Sequence, residues 1–227
     1  DENKPEKFKS DVFTAEDSDH MIFDHLSFSW GVDGNGDFRG LKHTTLQWMI
    51  FSEGLHKSLH AKRVGHAMCS SFRQPEGQAT FHHNIYATSR NRHPSTAGGS
   101  QVMEFANNIN YNWSGCHNLS GEQYNLINNY YKAGPMKGGR LPIRYKSKDL
   151  KPVSHGYFSG NHFDGLPEKY NEDNYTAIDL ESDGPDGKYK NTTRKFYEVK
   201  KRFDAGKYKL TNIETAEEAY ASCLKKS

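Results

Sequence analysis

Six short stretches of the chain carry a strand-like pattern of apolar and polar positions. They are FDHLSFSW from Phe23, LQWMIFSE from Leu46, FHHNIYA from Phe81, FANNINYNW from Phe105, LINNYYKAG from Leu126 and FSGNHFD from Phe158. Their first residues lie 23, 35, 24, 21 and 32 positions apart. The shorter intervals fit one coil of a parallel β-solenoid, and the two longer ones fit coils carrying an inserted loop. The pattern therefore predicts an all-β fold, a single-stranded parallel β-helix with long loops.

The third position after each anchor sharpens this reading. It holds Leu26, Met49, Asn84, Asn108, Asn129 and Asn161. Stacked coils place equivalent residues about 4.8 Å apart. Four successive asparagines at one position can then bond to one another as a ladder, and buried amides are tolerable when satisfied in that way. The competing reading is that Asn-Asn pairs mark hairpin turns. Such turns favour Asn-Gly or Asp-Gly, and Asn-Gly occurs once, at Asn35-Gly36. The ladder also accounts for composition: ten of the 17 asparagines fall between Asn84 and Asn129.

The last 60 or so residues lack the repeat. SDGPDGKYKNTT reads as a loop, and TAEEAYASCLKKS as a helix with Thr215 at its N-cap, acids in its first turn and lysines at its end. The expected division is 1–165 for the coils that carry the chemistry and 166–227 for a loop-rich segment with a terminal helix packed on them.

Composition narrows the function classes. Only 34% of the 227 residues are hydrophobic, yet 13 Tyr, 13 Phe and 3 Trp argue for a folded chain. No apolar run reaches a membrane span. Thirty basic against 28 acidic side chains leave +2, so nucleic acid is not an expected partner. Three cysteines without a CxxC make a disulfide framework and a zinc ribbon unattractive.

Several clusters carry candidate chemistry. GVDGNGD has Asp33, Asn35 and Asp37 at EF-hand-like spacing, but Phe38 and Thr44 replace the Gly and Glu that such a loop needs. What remains is two carboxylates four residues apart, either a hard-cation site or a solvated turn. HHNIYATSRNRHP brings His82, His83, Arg90, Arg92 and His93. On a continuous strand His82 and His83 point to opposite faces, whereas Arg90 and Arg92 share one. Paired guanidinium groups suit a carboxylate ligand, with a basic loop tip as the alternative. His56, His60 and His66 read more readily as a solvated loop than as a zinc site.

Taken together, DHLSFSWGVD (Asp24–Asp33), LQWMIFSEGL (Leu46–Leu55), the His60–Lys62 stretch, FHHNIYATSRNRHP (Phe81–Pro94), EFANNINYNW (Glu104–Trp113) and NNYYKAGP (Asn128–Pro135) resemble the polysaccharide lyase family 1 pectate lyases. The resemblance runs from about Asp11 to Pro135 and implies a right-handed parallel β-helix. It implies cleavage of α-1,4-linked polygalacturonate, the backbone of pectin, by Ca²⁺-dependent β-elimination. By the same resemblance Arg92 is the base or a carboxylate clamp, Asp11, Asp33 and Asp37 are Ca²⁺ ligands, and Lys62, Arg90 and His83 contact the substrate. A second family arginine would fall on Ala97, so contacts there must differ. The family has coils before Asp11, so a second polypeptide is expected to supply them. The location implied is secreted, periplasmic or cell-surface. The alternatives are a non-catalytic β-helix that binds acidic polysaccharide and a lyase of another uronate polymer.

Overall fold

The computed structural model describes residues 9–58, 65–73, 76–97, 102–119, 123–136, 142–145, 155–179 and 198–227. The SDGPDGKYKNTT loop and Lys62 lie outside the described residues. The chain winds repeatedly through three short strands. β1 (Phe13–Glu16), β2 (Ile22–Asp24) and β3 (Ser27–Ser29) are followed by β4 (Gly34–Arg39), β5 (Lys42–Gln47) and β6 (Ile50–Ser52). Above these come β7 (Met68–Arg73), β8 (Glu76–His82) and β9 (Ile85–Asn91), then β10 (Ser95–Ala97), β11 (Val102–Ala106) and β12 (Ile109–Gly115). β13 (His117–Leu119), β14 (Gln123–Ile127), β15 (Tyr130–Lys132), β16 (Ile143–Tyr145), β17 (His155–Ser159), β18 (His162–Asp164) and β19 (Ile178–Asp179) continue the winding.

Every strand pairs in parallel with its equivalent in the next coil, which makes this a parallel β-helix. Strands β2, β5, β8, β11, β14 and β17 form a six-stranded sheet, and the others form a thirteen-stranded sheet that folds around the remaining sides. All six anchors fall in one register: Phe23 beside Leu46, then Phe81, Phe105, Leu126 and Phe158. All six are buried. Aromatic rings stack between coils, with Phe81 over Phe105 at 4.4 Å and Phe51 over Tyr86 at 5.2 Å between centroids. A narrow core of this kind needs few apolar residues, which is how a chain of mean hydropathy −0.93 folds.

The corner after the six-stranded sheet is built twice over. His25, Trp48, His83, Asn107, Asn128 and Gly160 all take left-handed φ, between +51° and +67°. The next residue in each coil is the ladder position. Asn84 donates its amide to Asn108 Oδ1 at 3.0 Å, Asn108 to Asn129 at 3.0 Å, and Asn129 to Asn161 at 2.9 Å. Each amide also donates to the anchor carbonyl of the coil before, at Leu46, Phe81, Phe105 and Leu126. The backbone N–H groups of Asn84, Asn108 and Asn129 donate to the same side-chain oxygens one coil on. At one end Met49 N–H donates to Asn84 Oδ1; at the other Asn161 donates to Asn174 Oδ1 in a 3-10 turn. Asn174 follows Asn161 by 13 residues, too few for a coil, so periodicity does not reveal it.

The left-handed corner corrects one sequence expectation. His82 ends β8 and His83 turns at φ +56°, so their rings do not sit on opposite faces: Nδ1 lies 2.8 Å from Nδ1. A strand rule fails where the strand has stopped.

Residues 198–215 run as a strap across the six-stranded sheet. Glu104, fully buried, receives Arg202 through Nε at 2.8 Å and Nη2 at 2.6 Å, and the backbone N–H of Leu210 at 2.8 Å. The strap ends in the helix Ala216–Lys226, whose Thr215 and Glu218 form a capping box. Glu214, just before the N-cap, is gripped by the outer corner: Asn107 and Asn128 each donate to its carbonyl at 2.7 Å. Tyr220 packs on Tyr130 at 4.4 Å. The three cysteines are buried and unpaired. Among the described residues no helix is long and apolar enough to cross a membrane.

Replacing Asn108 by Ala removes the acceptor of the Asn84 N–H and side-chain amide, and a donor to Phe81 O, inside the core. We expect a loss of about 3–5 kcal/mol in denaturant unfolding, at roughly 1–3 kcal/mol for each unsatisfied buried group. A loss below about 1 kcal/mol would show that the ladder decorates the corner rather than holding it.

Candidate functional site

Three acids meet where the first described coils adjoin. β1 and β4 pair with Phe13 opposite Gly36, which sets Asp11 opposite Gly34 and beside Asp33. Val12 N–H donates to Gly34 O at 3.0 Å, and Asp33 N–H donates to Ser10 O at 3.2 Å. A Cβ on Gly34 would lie 2.7 Å from Asp11 Oδ1, so only glycine lets the carboxylate settle there. Burial, and then the charges of Asp33 and Asp37, push the Asp11 carboxyl up to about 6.

The other two acids already have partners. His66 Nε2 lies 2.5 Å from Asp33 Oδ1. Asp37 receives Ser71 Oγ at 2.9 Å, Arg39 Nη2 at 3.1 Å, Arg73 Nε at 3.1 Å and a second contact from Arg73 Nη2. Burial pulls the Asp37 carboxyl upward, but Arg73, Ser71 and Arg39 outweigh it and hold it below the usual range. Ser71 and Arg73 face Asp37 and Arg39 by register, 34 residues further along. That offset appears only once the coil length across the inserted loop is known.

The basic groups stand at the far end of β9. Arg90 N–H donates to Ala67 O at 2.8 Å, and Ser70 N–H donates to Arg92 O at 2.9 Å. Since β7 lies between β4 and β9, the arginines are two coils from Asp33, about 10 Å along the helix axis. Arg92 is half-buried at φ +67°, its N–H bonded to Asn91 Oδ1, just before a cis His93-Pro94 bond. Arg90 donates through Nη1 to Gly65 O, tying it to the loop after β6.

His83 does not join them. It lies at the opposite end of β9, buried, with Nε2 3.2 Å from Glu214 Oε2 and its ring stacked on Trp48 at 4.3 Å. It supports the corner beneath the strap. Tyr86 and Trp113 are buried in the core, as their sequence context suggests.

The donor set can be tested against calcium, which takes six to eight oxygen ligands at roughly 2.3–2.6 Å. Asp11 and Asp33 fit: they offer carboxylate oxygens, and after burial the charge of Asp33 helps raise the Asp11 carboxyl. Asp37 does not fit as it stands, because Ser71 and the guanidinium groups of Arg39 and Arg73 occupy its oxygens. The three acids are spaced more widely than one tight cluster. Among the described residues only Asp19, His20 and His43 bring three ligand atoms within 4.8 Å of one another.

The crowding at Asp11 has a signed consequence. Its folded carboxyl holds a proton more tightly than the ordinary 3.8, so its contribution to stability is complete below about pH 4 and disappears as pH rises through about 6. Asp11→Asn, which mimics the protonated form, should match the parent in Tm at pH 4 and exceed it by pH 7 without divalent cations. A difference in Tm that ignores pH would remove the raised Asp11 carboxyl from this account.

No family model matches the chain. Relatives named "Probable pectate lyase C" do match it. It is 31% identical over 166 residues to the one from Aspergillus fumigatus, covering 70% of this chain and 35% of that protein. It is 31% identical over 161 residues to that of Aspergillus terreus, covering 68% and 34%, and 30% identical over 160 residues to that of Emericella nidulans, covering 68% and 33%. The chain thus spans about a third of the length of the curated relatives it matches. Parallel coils in this register, joined to that likeness, support the pectate lyase family for the matched residues of the chain.

Proposed function

We propose that this chain carries the catalytic face of a secreted pectate lyase that cleaves polygalacturonate by β-elimination. The observation that supports the reading best is the spacing of charge along the axis. Asp11 and Asp33 lie on adjoining coils, and Arg90 and Arg92 lie about 10 Å beyond Asp33 on the same stack of coils. An acidic polymer laid across this face meets carboxylates at one place and guanidinium groups at another. Its own carboxylate needs a positive partner at the first and finds one at the second.

Arg92 takes the proton from C5 of a galacturonate. The C4–C5 double bond forms as the C4–O bond breaks, and its electron pair leaves with the oxygen of the departing sugar. If Arg92 stays charged, it clamps the adjacent carboxylate instead and stabilises charge building up on it. Arg90, anchored on Gly65 O, orients a neighbouring carboxylate, with Lys62 assigned the same task from the sequence. His66 holds Asp33 in place, and Ser71 and Arg73 hold Asp37. Asp11 and Asp33 would hold Ca²⁺, with Asp37 joining only on release from Arg73. Bound there, Ca²⁺ would neutralise the substrate carboxylate and acidify the C5 proton.

The test is absorbance of the unsaturated uronate product with polygalacturonate at alkaline pH. We expect a rise that needs Ca²⁺, disappears with chelator and falls at least about a hundredfold in Arg92→Ala with unchanged far-UV circular dichroism, the scale of a lost transition-state contact. Full activity in Arg92→Ala would remove Arg92 from its role. No product from the parent chain, with polygalacturonate binding retained, would favour a non-catalytic polysaccharide-binding protein.

A further inference from the structure

We propose a second metal site, for a zinc-class divalent ion, at Asp19, His20 and His43. It lies by the six-stranded sheet and is independent of the lyase reading. Asp19 bridges in parallel to Lys42 ahead of β2, and His43 follows within β5, where the register of pairing with β8 shifts between Lys42 and Thr44. His20 and His43 both take left-handed φ, +56° and +46°. The result is that both imidazoles turn to one carboxylate oxygen. His43 Nδ1 lies 2.8 Å and His20 Nδ1 2.9 Å from Asp19 Oδ1.

Two imidazole nitrogens and a carboxylate oxygen form a donor set suited to zinc, which often takes three protein ligands and leaves a fourth position open. Tetrahedral ligand atoms at about 2.0–2.1 Å from the metal stand about 3.3 Å apart. The three atoms here lie within 4.8 Å of one another, so small side-chain rotations bring them to that spacing.

A supporting group comes from elsewhere in the chain. Tyr208 Oη, on the strap, lies 3.0 Å from His20 Nε2, and its ring stacks on His43 at 5.2 Å. Metal-ligating histidines characteristically bond through their other ring nitrogen, which fixes tautomer and orientation. Tyr208 does this for His20, leaving Nδ1 to the metal. The strap is itself pinned here, since Thr80 Oγ1 donates to Tyr208 O at 3.1 Å. Access is open. The Asp19 and His20 side chains are 48% and 61% exposed, and His43 lines an open cleft of about 470 Å³ with Gly77, Gln78, Gly206, Lys207 and Tyr208. A metal here would join the strap to the coils as well as offer a coordination site in the cleft.

The experiment is equilibrium binding of Zn²⁺ alone to the full chain at pH 7.5, with Co²⁺ absorption as a second readout. We expect one equivalent bound with the intense visible bands of four-coordinate Co²⁺. Binding should weaken at least about tenfold in both His43→Ala and Asp19→Asn, the latter keeping the shape of the side chain. Tyr208→Phe should weaken it less. Zn²⁺ held equally by the parent and both variants would place the ion elsewhere, at His56, His60 or His66 for instance, and overturn the proposal. So would no binding by the parent.

Discussion

The amide ladder from Asn84 to Asn174 is the constraint on which the rest depends. Each side chain in it is buried, and each from Asn84 to Asn161 bonds forward to the next amide and back to an anchor carbonyl. A slip of one residue between coils would unpair every amide and turn the anchors outward. The ladder converts a greasy column into a register. That register in turn sets which residue of β4 faces which residue of β7, and so which side chains reach Asp37.

The strap depends on the same corner. Its two deepest attachments are the bidentate Arg202 on Glu104 and the grip of Asn107 and Asn128 on Glu214. Glu104 sits in β11, in register with Thr80 and Asn125. A fully buried carboxylate is tolerable only because a guanidinium and two amide groups reach it. The six-stranded sheet thus carries polar recognition of its own chain, leaving the far end of the coils to carry charge for other purposes.

At that far end, net charge misleads. A sum of +2 hides three neighbouring acids with two arginines two coils on. Burial and the neighbouring acids push Asp11 upward, and Arg73, Ser71 and Arg39 hold Asp37 down. An external cation therefore has most to offer at Asp11 and Asp33, and would compete with Arg73 at Asp37.

The coil repeat, the ladder from Asn84 to Asn161 and the capped terminal helix were legible in the chain, because each is a local pattern repeated at a fixed offset. Asn174 was not, since it closes the ladder from a turn off the period. Neither were His66 on Asp33, Arg73 on Asp37, or the removal of His83 to the corner beneath Glu214. Those contacts join residues 33, 36 and 131 positions apart, and they depend on loop lengths that differ from coil to coil. By itself the sequence determined the period and the residue types at each face. Only the tertiary structure decided which charges meet, because the inserted loops and the strap set the distance between coils along the chain but not in space.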